Sequence, residues 1–188
     1  MKKIAITARE LYGNDFFAAF KTIAGTRPYR IILREKDLPY REYLELAREC
    51  KQICENFGIP LVINTFIQAG MELSIKHLQL PYEVFLKFKN SGFPDFKEIG
   101  VSVHSTEEAV KVSNMNRPPD YLIAGHIFTT DCKKDIPPKG LQYLTDICSS
   151  VEIPVFAVGG ITDANASAVI NAGAYGFAYR AKFELLKK

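Results

Sequence analysis

A closed (β/α)8 barrel is the fold this sequence predicts, and three observations predict it. Short apolar runs rich in β-formers occur eight times along 188 residues. Segments with helical spacing lie between most of them. The first run is followed by ITARELYGN (6–14), which holds one glycine where an open doubly wound sheet would carry a Gly-rich fingerprint. Strands that alternate with helices imply parallel strands joined by helical crossovers. Eight such units close economically into one barrel, and the short chain calls for short loops. Residues 1–188 are read as a single TIM-barrel domain.

The eight runs are KIAIT (3–7), RIILR (30–34), PLVINT (60–65), IKHL (75–78), IGVSV (99–103), YLIAG (121–125), VFAVG (155–159) and GFAYR (176–180). Each is short and bounded by breakers or polar residues, as a strand covered on both faces requires. YREYLELARECKQICENFG (40–58) predicts a helix with Leu44, Ala47, Ile53 and Cys54 on one side, ending at Gly58. STEEAVKVSN (105–114) opens on Ser105 with Glu108 three residues on, a capping box. TDANASAVINAG (162–173) predicts a helix from Thr162 to Gly173.

Hydrophobic residues make up 47% and charged residues 24%, a globular composition, and 24 Lys and Arg against 21 Asp and Glu leave +3. So slight a balance speaks against a nucleic-acid partner but allows a local cationic pocket for an anionic metabolite. Cys50, Cys54, Cys132 and Cys148 form no C-x-x-C pair and no signal peptide precedes the first run, so the thiols are read as reduced and the protein as cytoplasmic. No apolar stretch approaches the roughly 20 residues that span a bilayer, and no membrane partner is expected.

In such a barrel the active site is built at the C-terminal ends of the strands. That singles out Arg34, Lys36, Asn64, His77, Ser102, His104, His126, Gly159, Gly160 and the segment around Arg180. In VFAVGGITDANA, Gly159 and Gly160 end the seventh run directly before a predicted helix; bare amides and a helix N-terminus would hold a phosphate there. The competing reading is a tight turn that needs glycine for its φ angle. In LREK (33–36), Arg34 and Lys36 lie two apart and share one side of an extended strand. His77, His104 and His126 fall at the ends of the fourth, fifth and sixth runs, which raises a three-histidine metal site. No carboxylate joins them, so His77 and His104 are read as packing or rim residues, and no metal is expected. Cys132 sits beside Lys133 and Lys134, which would favour a thiolate, but no motif couples it to a base.

Taken in order, LREK, INTF, KHL, IGVSVHSTEEA, PDYLIAGHIFTTDCKK, PPKGL and IPVFAVGGI resemble the thiamine phosphate synthase/TenI superfamily of small barrels, from about residue 30 to about residue 180. The resemblance implies one of two activities. Synthases join a pyrimidine diphosphate to a thiazole phosphate and expel pyrophosphate with Mg²⁺. TenI proteins isomerise a carboxythiazole phosphate to its aromatic tautomer.

The synthases end the third strand with Asn-Asp and place a second aspartate after the fourth. This chain has Asn64-Thr65 and His77-Leu78-Gln79-Leu80-Pro81, without either acid. Synthases carry Gly-Pro after the sixth strand, whereas Gly125-His126 and Asp131-Cys132-Lys133-Lys134 stand here and match the TenI branch. The resemblance therefore implies a thiazole tautomerase using no cofactor, with His126 as proton carrier and Ser102 assisting or orienting the ring. Gly159, Gly160 and the N–H of Ala181 would bind the phosphate, and Arg34, Lys36, Asn64 and Lys133 the rest of the substrate. A synthase with a rearranged metal site, and a non-catalytic barrel that senses thiazole or thiamine phosphates, stay open as alternatives. Relatives commonly form homo-oligomers, and a homo-oligomer is expected.

Overall fold

The computed structural model describes residues 1–12, 15–88, 95–130 and 135–180. Its strands are β1 (Lys2–Ile6), β2 (Arg30–Leu33), β3 (Leu61–Asn64), β4 (His77–Pro81), β5 (Glu98–Val103), β6 (Tyr121–Gly125), β7 (Val155–Val158) and β8 (Gly176–Arg180). They pair in chain order into a closed barrel, so the predicted (β/α)8 architecture is the observed one. Every residue of β2, β3 and β6 is buried, because helices cover a barrel strand outside while its neighbours fill the inside. Among the described residues, no helix is long and apolar enough to cross a membrane.

The helices are α1 (Phe16–Gly25), α2 (Tyr40–Phe57), α3 (Ile67–Glu72), α4 (Tyr82–Lys87), α5 (Thr106–Ser113), α6 (Gly140–Ser150) and α7 (Ala166–Asn171). On α2 the buried stripe is Tyr43, Ala47, Cys50, Ile53 and Cys54. Leu44, expected on that face, is half-buried one position off it. Gly58 ends the helix at φ +66°, with its N–H on the carbonyls of Cys54 and Glu55, the left-handed termination that glycine allows. Burial pushes the Cys54 thiol up to about 12 and the Cys50 thiol well above its usual range. Both are packed side chains, inert as nucleophiles at neutral pH.

Two elements differ from the sequence expectation by more than one residue at an end. The fourth strand begins at His77 and runs to Pro81, two residues later than IKHL at its start, so His77 opens the strand instead of closing it. The last helix begins at Ala166, because Asn165 accepts the Thr162 N–H at 2.8 Å and donates to the Gly160 carbonyl at 3.0 Å. That side chain closes a turn over the residues expected to start the helix.

By internal contacts the chain forms two units, one centred on Lys3–Gln79 with β1 to β3 and the start of β4, the other on Glu98–Tyr179 with β5 to β8. In the first, the buried Tyr43 hydroxyl donates to the Leu33 carbonyl at 2.9 Å and accepts the Asn64 N–H at 3.3 Å. One helix side chain thus satisfies backbone groups at the C-terminal ends of β2 and β3. In the second, β5 and β6 pair with Val103 opposite Ala124, and β6 and β7 with Gly125 opposite Val158.

Candidate active site

The Glu98–Tyr179 unit brings Ser102, His104, His126, Gly159 and Gly160 to the ends of β5, β6 and β7. Ser102 is half-buried on β5 opposite Ile123. His126 follows β6 directly and is 4% exposed. Its ring Nε2 lies 3.1 Å from the Ile136 carbonyl. A carbonyl can only accept, so Nε2 carries the proton and the neutral ring keeps its lone pair on Nδ1. The backbone around it is fixed as well. His126 O accepts the Lys139 N–H at 3.0 Å, and the N–H groups of Ile127 and Phe128 donate to Val158 and Gly159 at 2.9 and 3.0 Å.

Gly159 and Gly160 have φ of +102° and +64°, and both approach this segment closely. A Cβ on Gly159 would sit 2.3 Å from His126 Cβ, and one on Gly160 would sit 2.3 Å from the Thr129 carbonyl oxygen. These φ values are the ones the turn reading requires, and the close approach is a second reason for glycine at both places. The expected helix N-terminus is displaced: residues 161–165 intervene before α7, so any anion at the glycines meets turn amides first.

His104 comes one residue after β5, and its ring Nδ1 is 3.1 Å from the Gly125 carbonyl. Its own N–H donates to Glu108 Oε2 at 2.6 Å while Ser105 Oγ accepts the Glu108 N–H at 3.2 Å. The capping box is present, with its glutamate reaching one residue further back than expected.

In the Lys3–Gln79 unit, Arg34 and Lys36 are exposed just past β2. Partial desolvation, and then the Arg34 guanidinium beside it, hold the Lys36 ammonium below the usual lysine range. Two cations this close together are suited to an anionic ligand. Asn64 is buried; its amide donates to the Gln79 carbonyl at 3.2 Å and its Oδ1 accepts the Thr65 hydroxyl at 3.3 Å. Arg180 pairs with Glu10, which accounts for that charge within the same unit.

Between the two cations lies a carboxylate that the sequence reading passed over. Glu35 is 3% exposed; it accepts the Thr7 hydroxyl at 2.6 Å and the Arg9 N–H at 3.1 Å. Thr7 Oγ1 in turn accepts the Arg34 N–H at 3.0 Å. Burial outweighs these bonds and raises the Glu35 carboxyl above the usual glutamate range. A raised folded-state value means that folding favours the protonated form. The wild type should therefore lose stability as pH climbs from about 4.3, the ordinary glutamate value, through the raised one. Glu35→Gln should flatten the slope of thermal midpoint against pH in that window, and an unchanged slope would show that Glu35 does not contribute it.

Lys133 and Ala181, with Asp131, Cys132 and Lys134, lie outside the described residues. His77, at the start of β4, is at the opposite end of its strand from the ends that carry His104 and His126. The placement of His77 at the C-terminal end of the fourth strand is thus corrected by the strand shift. Among the described residues, no group of three or more His, Cys, Asp or Glu side chains could hold a metal ion.

Residues 4–183 match the family model described as thiamine monophosphate synthase. The thiamine-phosphate synthase of Desulfitobacterium hafniense (strain Y51) is 34% identical over 172 residues, covering 89% of this chain and 82% of the relative. That of Clostridium acetobutylicum is 36% identical over 146 residues, covering 77% and 68%. The solved thiamine phosphate pyrophosphorylase of Pyrococcus furiosus superposes with a TM-score of 0.78 at 29% identity, covering 94% of this chain and 84% of that one.

Proposed function

The chain belongs to the thiamine monophosphate synthase family, and within it we propose that this member is a thiazole tautomerase of thiamine biosynthesis. It isomerises a carboxythiazole phosphate to the aromatic form by moving protons through His126. The observation that carries the reading is the buried ring whose Nε2 is committed to the Ile136 carbonyl. Nδ1 is left as the base. It takes the proton from the ring carbon, and the electrons of that C–H bond become a ring double bond. The exocyclic double bond supplies the electron pair that takes a proton back from the imidazolium. Atoms and charge balance with no redox partner, and imidazole exchanges protons near neutral pH.

In this reading the turn amides of Gly159 and Gly160 hold the phosphate, Ser102 orients the ring, and Arg34, Lys36 and Asn64 serve the substrate's anionic and polar groups. Lys133 and Ala181 keep the roles the family resemblance gives them, and the enzyme works as a cytoplasmic homo-oligomer.

The relatives' names support a second reading, coupling of a pyrimidine diphosphate to a thiazole phosphate. That chemistry in the family uses Mg²⁺, which prefers carboxylate oxygens and phosphates. Here β3 ends in Asn64, followed by Thr65, and β4 runs through Gln79, Leu80 and Pro81. Asn64 is already committed to Gln79 and Thr65. Among the described residues this donor set does not fit the metal.

One assay separates the readings. Purified protein with carboxythiazole phosphate should show growth of the aromatic absorbance, and the rate should survive EDTA. Coupling that is abolished by chelation and restored by Mg²⁺ would establish the synthase instead. Tight binding of the thiazole phosphate without turnover would leave a ligand-sensing barrel.

A further inference from the structure

We infer that His104 is a positioning residue for His126: through Nδ1 it holds the carbonyl of the peptide on which His126 is carried. The pairing of Val103 with Ala124 puts the next residues, His104 and Gly125, side by side. The ring nitrogen reaches the Gly125 oxygen at 3.1 Å, and since that oxygen only accepts, Nδ1 carries the proton. The bond persists whether the ring is neutral or charged, because a charged imidazole keeps Nδ1–H.

His104 is itself held. Its N–H is taken by Glu108, and the carbonyl of the preceding residue, Val103, accepts the Tyr143 hydroxyl at 3.3 Å from α6. Gly125 has no slack on its other side, since a Cβ there would lie 2.3 Å from the Val158 carbonyl oxygen. The peptide plane that sets the His126 Cα is thus clamped between β5 and β7. A small rotation of that plane swings the ring at the end of a lever, and misplacing a reacting group by about 1 Å can cost up to 10²-fold in rate.

The inference rests on the tautomerase reading for its kinetic arm alone. His104→Ala removes the donor, whereas His104→Asn places its amide nitrogen where Nδ1 stood. The alanine variant should lower kcat roughly three- to tenfold, the worth of one hydrogen bond, with KM little changed. The asparagine variant should restore it. The chain has three histidines, so ring ¹⁵N spectra can be assigned by single substitution. The His126 resonances should move in His104→Ala and return in His104→Asn.

Wild-type kcat and His126 resonances in the alanine variant would overturn the inference, as would failure of asparagine to restore either. A wild type that does not turn over carboxythiazole phosphate, with His126 resonances that still respond and recover, would sink the function proposed above and leave the positioning role standing.

Discussion

Replacing His126 with glutamine lowers kcat by about 10²–10⁴-fold, the usual worth of general acid–base catalysis, and leaves the barrel folded. Glutamine is preferred because of what the ring does in the fold. His126 Nε2 donates to the Ile136 carbonyl, and a glutamine amide reaches about as far as Nε2 while an asparagine amide stops near Nδ1. The glutamine variant therefore keeps the structural bond and loses the titrating nitrogen. Its thermal midpoint should stay close to wild type and KM should change little, because the proposed phosphate ligands are untouched. His126→Asn should match it in kcat. Turnover at the wild-type rate in the glutamine variant, measured where chemistry limits the rate, would exclude His126 as the proton carrier and turn attention to Ser102.

The parts of this site that the sequence made legible are those with a local signal. YLIAG and GFAYR match β6 and β8 residue for residue, because breakers and apolar runs mark them sharply. A titratable ring after Gly125, where the family's synthases have proline, could be read directly. The fourth strand was misplaced because Leu78, Gln79 and Leu80 are all buried. A strand enclosed on both faces has no two-residue period to fix its ends. The six-residue helices α3 and α4 are too short to show a helical period.

Glu35 looked like one more charge in an Arg-Glu-Lys run. Alternation does put it on the other side from Arg34 and Lys36, but its burial depends on Thr7 and the Arg9 N–H, which lie just past the end of another strand, β1. His104 was legible as a residue near a strand end and no further. Its role needs the register between β5 and β6, which local spacing does not encode.

Gly159→Ala should damage stability and chemistry together, and the two effects can be separated. At φ +102° a side chain is strained, by about 1–2 kcal/mol. The added methyl would also lie 2.3 Å from His126 Cβ and 2.8 Å from its Cα, and overpacking of this kind costs about 1–3 kcal/mol. The sum, roughly 2–5 kcal/mol, corresponds to a fall in thermal midpoint of about 4–20 °C for a chain of this size. What must yield is the backbone of His126, so kcat should fall by up to ~10²-fold. An acidic residue at Gly160 would be a poorer probe of the phosphate site, since its Cβ would strike the Thr129 carbonyl at 2.3 Å and Phe128 Cβ at 2.8 Å, and repulsion of an anion could not be told from distortion of the turn. The double variant Gly159→Ala with His126→Gln provides the separation. If the alanine acts on chemistry through His126, it should lower kcat no further in the glutamine background, while its cost in thermal midpoint should persist. A second, multiplicative loss of kcat in the double variant would mean that Gly159 serves the reaction by another route, with its own amide on the substrate as the first candidate.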